Sequence, residues 1–323
     1  MLTSMAVGER AVERRALWVQ IVDALNGIYG AHDGHRAAHA KGTSCAATFT
    51  ATPQASNYTR AAHMQGDSVR AHVRFSNAGG DPGKRDGTND GRGMAVKFYL
   101  PDDTTTDIVA VTIPVFAVRT PEDFLELTLA RKPDPETGKP DLDKIGAFLN
   151  AHPESMPAVE AALSANAPAS YAQCHYFAVH AYRFVDANGR FRYVRYRWEP
   201  EAGVEWLERE DAKQRSHDYL REELEERFAQ GPAGFRLWIQ IADAEDQVDD
   251  PTAAWPEERE TVELGRLEIT ELAFDRERDG DVLVNDPTRV TDGIELSDDP
   301  ILHARTHAYA ESVFRRSGVR RED

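Results

Sequence analysis

The sequence lacks the features of disulfide-stabilised, zinc-binding or membrane-spanning proteins. It has only two cysteines, Cys45 and Cys174, in 323 residues. They are too few for a disulfide framework, and neither lies in a CxxC or Cys/His spacing typical of a zinc site. The first thirty residues alternate charged and apolar side chains and contain no long apolar run. We therefore expect a protein without a signal peptide or a membrane span.

Positive charge is also scarce. The 38 Lys and Arg residues are outnumbered by 55 Asp and Glu, which gives a formal net charge of -17 at pH 7. Because binding to nucleic acid depends on cations that displace counterions from phosphates, this balance argues against a nucleic-acid partner. We expect a cytoplasmic location, and a periplasmic one stays open if a leader has been removed.

Helical periodicity is clear in several stretches. Apolar residues from about Gly8 to Tyr29 recur at spacings of three or four, which predicts an amphipathic N-terminal helix. The other internal helices are predicted at roughly Pro121 to Arg131, Asp143 to Asn150 and Trp206 to Ala229. Asp298 to Arg316 is expected to form a closing helix, entered through acidic residues with Pro300 near its start.

Strand-forming runs dominate the chain from Ser68 onward. These runs are rich in β-branched and aromatic residues, and they are SVRAHVRFSNAGG, GMAVKFYL, TDIVAVTIPVFAV, AQCHYFAVHAYRF, GRFRYVRYRWEP, FRLWIQIAD and GRLEITELAF. Asn188 and Gly189 lie between two runs and predict a hairpin, because they tolerate positive φ. No repeat or Pro/Gly linker divides the chain. The pattern predicts an α+β protein, an antiparallel β-barrel with helical insertions and flanking helices.

Two groups of residues at opposite ends of the chain carry candidate chemistry. The first is RAAHAKGT (36–43), followed by VRFSNAGG from Val73 and NDGRGMAVKFY from Asn89. The second is ILHARTHAYAESVFRRSG (301–318), which contains Arg305 and Tyr309. Because residues four apart share one face of a helix, the Arg305 guanidinium can reach the Tyr309 phenol.

In this order, the segments resemble the haem catalases over most of the chain. RAAHAKG is similar to the segment of the distal histidine, VRFS to the strand whose serine contacts that histidine, and ARTHAY to the helix of the proximal tyrosine. GRGMAVKF, DIVAVTIPVF, FRLWIQ, DPTAAWP and DPTRVTDGIELSDDP also occur where catalases have counterparts. The resemblance implies an eight-stranded antiparallel catalase barrel, residues 1–323 as one haem-binding domain, and haem b (iron protoporphyrin IX) as cofactor.

The resemblance also implies roles for matching residues. His39 is implied as the distal acid and base, and Ser76 as the residue that orients it. Tyr309 is implied as the axial ligand of the haem iron, kept ionised by the iron and by Arg305. The remaining positions are implied to hold the porphyrin, and they are Arg36, Arg74 and Arg316 at the propionates and Phe124 against its face.

One position departs from the catalases. Where they carry a distal asparagine in a GNNTP segment, this chain has AVTIP, with Val111 in place of the amide. One such hydrogen bond is worth about 1 kcal/mol or somewhat more, roughly tenfold in rate if it acts in the transition state. We also expect the chain to lack the long N-terminal arm and extra C-terminal domain of larger catalases. Both features fit the small catalase-related peroxidases, in which an organic donor reduces compound I.

The expected function is therefore a haem peroxidase that reduces hydrogen peroxide or small organic hydroperoxides with an organic electron donor, with weak catalase activity. Two alternatives stay open: a haem isomerase or lyase acting on fatty-acid hydroperoxides, and a haem carrier or sensor without turnover. A homo-oligomeric state also stays open. His303 and His307, four apart on the last helix, suggest a metal pair, but a solvated face is the simpler interpretation.

Overall fold

One antiparallel sheet closes into a barrel, because its last strand pairs with a strand near the opposite edge. The computed structural model describes residues 17–276 and 282–317. The strands in this part are β1 Gly42–Ala51, β2 Ser68–Asn77, β3 Arg92–Tyr99, β4 Thr105–Val111, β5 Tyr176–Phe177, β6 Tyr182–Val185, β7 Phe191–Pro200, β8 Ala233–Ile241, β9 Thr261–Ala273 and β10 Ile294–Leu296. Pairing runs β7-β5-β4-β3-β2-β1-β9-β8, and a β7–β8 pairing closes this circuit of eight strands. The expected eight-stranded antiparallel barrel is confirmed, with β6 and β10 added beside β7.

The barrel interior is filled largely by aromatic side chains. Phe75 of β2 stacks on Tyr171 with ring centroids 5.3 Å apart, and Phe235 of β8 approaches Phe75 at 6.1 Å. Trp198 of β7 and Phe49 of β1 are fully buried in the same core and meet edge to face. Burial of each large aromatic side chain contributes a few kcal/mol, and their irregular shapes require one register of the strands.

Helices lie in the connections between the strands and at the two ends of the described chain. Residues 17–29 form α1, and the part of the predicted first helix before residue 17 lies outside the described residues. The other helices are α2 Pro121–Ala130, α3 Leu142–Ala151, α4 Met156–Ser164, α5 Arg209–Gln214, α6 Tyr219–Gln230 and α7 Pro300–Ser317. No helix in the described ranges is both long enough and apolar enough to cross a membrane.

The two helix starts that matter for the site are capped. The Thr120 hydroxyl accepts a hydrogen bond from the Asp123 backbone N at 3.1 Å, with Pro121 in the first turn of α2. Asp299 Oδ1 accepts hydrogen bonds from the backbone N of Ile301 at 2.8 Å and of Leu302 at 3.2 Å. These bonds satisfy donors that a helix start leaves unpaired, and they fix where α2 and α7 begin.

Several predicted elements differ from the observed ones. β1, β10 and α4 are not predicted by the periodicity. The run TDIVAVTIPVFAV forms a strand only up to Val111, and AQCHYFAVHAYRF divides into the short strands β5 and β6. The predicted helix from Trp206 to Ala229 is two helices, α5 and α6. Residues 215–218 leave the helix because their carbonyls are used elsewhere: Arg85 donates to the Arg215 carbonyl at 2.7 Å, and the Asp86 backbone N donates to that of His217 at 3.0 Å.

Candidate active site

The backbone around His39 is fixed by a close approach of two segments. The backbone N of His39 donates to the Ala78 carbonyl at 3.1 Å, and that of Ala40 donates to the Gly79 carbonyl at 3.1 Å. A Cβ at Gly80 would lie 2.2 Å from the Ala37 carbonyl oxygen, so glycine is required for this approach. His39 itself has φ of 55°, a conformation that side-chain-bearing residues rarely adopt. The imidazole is thus placed by its backbone at one end of β1, β2 and β3.

Ser76 and Gly93 define the position of the His39 ring. His39 Nδ1 and Ser76 Oγ are 2.9 Å apart. Gly93 of β3 pairs with Ser76 of β2, and a Cβ at Gly93 would lie 2.8 Å from both His39 Nδ1 and Ser76 Oγ. The structure therefore brings together the His39 and Ser76 that the sequence predicts as a pair, and it adds Gly93, which leaves room for them.

His39 is neutral at pH 7. Burial lowers its pKa to about 4, and the positive charge of Arg74 contributes in the same direction. The charges of Arg305 and Arg36 also lower this pKa. When Nδ1 carries the hydrogen and donates to Ser76, Nε2 presents a lone pair that can accept a proton.

Val111 lies on the same face of the sheet as His39 and Ser76. Gly93 of β3 pairs with Val111 of β4 as it pairs with Ser76 of β2. Side chains of directly paired residues share one face of a sheet, so Val111 is on the face of Ser76 and the His39 ring. This branched hydrocarbon is partly buried and offers no hydrogen-bond donor.

Tyr309 and Arg305 form the other half of the site, on α7. Arg305 Nη1 donates to the Tyr309 hydroxyl oxygen at 2.9 Å, as the four-residue spacing predicts. Burial acts to lower the pKa of Arg305, but the nearby Tyr309, Tyr182 and Asp299 together outweigh it, so the net shift is upward. The guanidinium also lies 5.3 Å from the ring centroid of Phe116. Arg305 bonds Tyr309, and its charge also acts to lower the pKa of His39, so the two predicted halves of the site interact electrostatically.

A buried His180–Asp299 pair stands next to Arg305. His180 Nδ1 and Asp299 Oδ2 are 2.6 Å apart, and the His180 ring lies 6.3 Å from that of Phe116. Burial, and after it the positive charge of Arg305, lower the pKa of His180 to about 4. No sequence pattern predicts this pair. The residues are 119 positions apart, and only the acidic start of α7 indicates a role for Asp299, as a cap.

The three predicted propionate arginines lie together. Arg36 Nη2 donates to the Leu283 carbonyl at 2.9 Å, and Arg316 Nη2 donates to the same oxygen at 3.0 Å. Arg36 and Arg74 both donate to Asp275 Oδ2, at 2.8 and 3.0 Å. Burial, and then the charge of Arg36, lowers the pKa of Arg74 to about 10 and that of Arg316 to about 9. These four side chains carry three positive charges and one negative charge, so two positive charges are in excess.

Phe124 contacts Phe116, which in turn contacts Arg305. Its ring stacks on that of Phe116 at 5.7 Å, and Phe116 in turn faces the Arg305 guanidinium. Phe124 is partly buried on α2, against a small cluster that includes Leu127 and Ile301. The aromatic side chain that the sequence predicts is therefore present on the Arg305 side, with Phe116 as an additional neighbour.

The residues fit a haem group. Two carboxylates would match the two excess positive charges, and the buried Nε donors of Arg305 and Arg316 have no hydrogen-bond partner in the described residues. The phenol of Tyr309 is a known type of haem-iron ligand. His39, neutral and held by Ser76, is suited to proton transfer beside that iron.

Other histidines do not form the metal pair considered from the sequence. His303 Nε2 lies 2.8 Å from the Ser297 carbonyl oxygen, and His307 stacks on Trp18 with centroids 5.2 Å apart. A separate group, Asp123, His152 and Glu154, has potential ligand atoms within 4.8 Å of one another. In that group His152 Nδ1 already lies 3.2 Å from Glu154 Oε1.

Comparison with protein families gives one consistent result. A family model described as catalase matches residues 30–323. A catalase-related peroxidase of Mycolicibacterium paratuberculosis is 44% identical over 94% of this chain and 95% of that protein. A catalase-related peroxidase of Synechococcus elongatus is 35% identical over 92% of this chain and 88% of that protein.

Solved structures agree. A fungal catalase superposes with a TM-score of 0.75 at 26% identity, covering 88% of this chain and 60% of that chain. A bacterial catalase superposes with a TM-score of 0.79 at 26% identity, covering 88% of this chain and 58% of that chain. The chain therefore spans somewhat less than two thirds of these solved catalase chains.

Proposed function

Because the chain belongs to the catalase family, we propose that it is a haem peroxidase that reduces hydrogen peroxide or small organic hydroperoxides with an organic electron donor. Disproportionation of peroxide is slow by comparison. Residues 1–323 act as one haem-binding domain, and the cofactor is haem b. The similarity to two catalase-related peroxidases over nearly their whole length supports this proposal.

The observation that carries the proposal is the register of Val111 with Gly93 and Ser76. It puts a hydrocarbon side chain on the same sheet face as the His39 ring, at the position where catalases have an amide. A second peroxide, which must be oxidised in the catalase reaction, then lacks one hydrogen bond that orients it. An organic donor that delivers electrons does not need that bond.

His39 moves the proton. Its Nε2 accepts a proton from the inner oxygen of the peroxide and returns it to the outer oxygen, which then leaves as water or as an alcohol. Ser76 holds Nδ1, so that Nε2 keeps its orientation. With a pKa of about 4, His39 is available as a base over the whole neutral range.

The other residues hold the cofactor. Tyr309 ligates the iron, and Arg305 stabilises its negative charge through the 2.9 Å hydrogen bond. Arg36, Arg74 and Arg316 bind the propionates. When bound, haem supplies the redox chemistry that cleaves the O–O bond and takes up electrons from the donor.

The test compares two activities of the haem-loaded protein. Oxygen evolution from hydrogen peroxide measures disproportionation, and guaiacol oxidation measures peroxidase activity. We expect donor oxidation with slow oxygen evolution, and Val111→Asn is expected to raise oxygen evolution roughly tenfold relative to donor oxidation. Rapid oxygen evolution by the wild type without donor oxidation would overturn the proposal. An epoxide or allene oxide formed from a fatty-acid hydroperoxide would instead indicate an isomerase.

A further inference from the structure

Asp275 stands between two of the arginines that face the cofactor. Its Oδ2 lies 2.8 Å from Arg36 Nη1 and 3.0 Å from Arg74 Nε, and Ser44 Oγ donates to its Oδ1 at 3.3 Å. Asp275 follows β9, more than 200 positions from either arginine along the chain. Burial acts to raise the pKa of Asp275, but the charges of Arg74 and Arg36 lower it far below its ordinary value. The carboxylate is therefore ionised at every working pH.

Arg36 and Arg74 each already make three hydrogen bonds within the protein. Arg74 directs Nε to Asp275, Nη1 to the His39 carbonyl at 3.0 Å and Nη2 to the Ala40 carbonyl at 3.3 Å. Arg36 directs Nη1 to Asp275 and Nη2 to both Asp275 and the Leu283 carbonyl. Arg316, by contrast, keeps a buried Nε without a partner in the described residues. A carboxylate that binds Arg36 or Arg74 through the donors that face Asp275 must share those donors with Asp275 or displace it.

We propose that Asp275 is an internal counter-ion that holds Arg36 and Arg74 in place before the cofactor binds and competes with a cofactor carboxylate for them. The inference rests on the proposed function, since it assigns the cofactor's carboxylates to these arginines. Asp275 is a positioning residue: through Arg74 it also supports the His39 carbonyl, and so the left-handed backbone of the distal histidine. The cost of this support is a lower affinity for the dianionic cofactor.

The substitution Asp275→Asn separates the two effects, because an amide keeps the shape and loses the charge. In the cofactor-free protein the variant is expected to unfold at a lower temperature, since Arg36 and Arg74 then lack their anion. Its dissociation constant for haem, measured from the Soret band in a titration, is expected to fall roughly three- to tenfold at low ionic strength. The difference should shrink with added salt, which screens charges.

Two controls test whether a change in haem affinity comes from the charge of Asp275. Asp246→Asn removes one of the three carboxylates that pair with Arg259, at 2.8 Å and outside the arginine group, and it is expected to lower stability without changing haem affinity. Haem with both propionates esterified lacks the competing carboxylates, so Asp275→Asn should not improve its binding. A variant that binds ordinary haem as weakly as the wild type or more weakly would show a merely structural role and overturn the inference.

A cofactor-free measurement distinguishes failure of the inference from failure of the proposed function. Inorganic phosphate is expected to raise the melting temperature of Asp275→Asn more than that of the wild type, because the vacated arginines bind an anion. Equal responses would count against Asp275 as the counter-ion. If the wild type takes up no haem, the proposed function is wrong. The proposed competition between Asp275 and the cofactor is then wrong as well, even if phosphate stabilises the variant more than the wild type.

Discussion

Gly93 lies so close to His39 that no side chain can be added there without displacing the imidazole. A Cβ at Gly93 would be 2.8 Å from His39 Nδ1 and 2.9 Å from His39 Cε1. These distances are shorter than any normal carbon contact. Since Gly93 also pairs with Ser76 across the sheet, the strand β3 determines how His39 and Ser76 meet.

The first prediction follows from this contact. Gly93→Ala should push the His39 ring away from Ser76 and slow the reaction with peroxide by tenfold or more, while haem uptake changes little. Stopped-flow mixing of the haem-loaded variant with peroxide measures this rate. Gly91→Ala is the matched control, because its Cβ would meet Ala78 and Ile113 only at ordinary distances of 3.5 and 3.7 Å. Equal rates for wild type and Gly93→Ala would contradict the assigned geometry.

Local patterns explain why both halves of the site could be predicted from the sequence. Arg305 and Tyr309 are one helical turn apart, so their contact depends only on α7 being a helix. His39 was identified by its resemblance to a catalase segment, in which the neighbouring residues carry most of the information. The hairpin at Asn188 and Gly189 was predictable for the same local reason, and Gly189 does adopt φ of 77°.

Long-range pairs could not be predicted in this way. Asp275 and Arg36 are 239 positions apart, and neither has a sequence context that indicates the other. β1, with the sequence GTSCAATFTA, consists mainly of small and hydroxyl side chains; it has no Val or Ile and only one aromatic residue, so it lacks the large apolar side chains that identify its neighbours. It becomes a strand because β2 and β9 pair with it on both sides.

The second prediction concerns the pH dependence of the peroxide reaction. In the proposed reaction His39 accepts a proton, so it must be unprotonated, and its pKa is lowered to about 4. The rate should therefore be level from neutral pH down to about 5 and fall as the pH drops through 4. Short pH-jump mixing, which ends before acid unfolding, separates the two effects. A rate that falls already near pH 6.5 would mean that His39 titrates like a free histidine.

The third prediction concerns acid stability. His63 is buried between Phe49 and Phe98, and burial lowers its pKa from 6.5 to about 3. As the pH falls below 6.5, the unfolded chain binds a proton that the folded protein excludes, so the free energy of unfolding decreases until about pH 3. This loss approaches about 1.4 kcal/mol per pH unit within that window. His63→Leu should remove this part of the slope.

Urea titrations between pH 4 and pH 7 measure this slope. The exposed His35 gives a matched control, and His35→Gln should leave the slope as it is in the wild type. An unchanged slope in His63→Leu would mean that His63 binds its proton in the folded state, against its burial.

The fourth prediction tests the assignment of Tyr309 as the iron ligand. Tyr309→Phe removes the oxygen that accepts the 2.9 Å hydrogen bond from Arg305. The haem-loaded variant should lose the spectrum of phenolate-ligated ferric iron and release haem to an acceptor globin at least tenfold faster, because one metal bond is gone and a buried guanidinium is left unpaired. Tyr193→Phe, a partly buried tyrosine of β7, serves as the control and should keep both the spectrum and the rate. Haem release as slow as that of the wild type, with the same spectrum, would show that the iron is held by another residue.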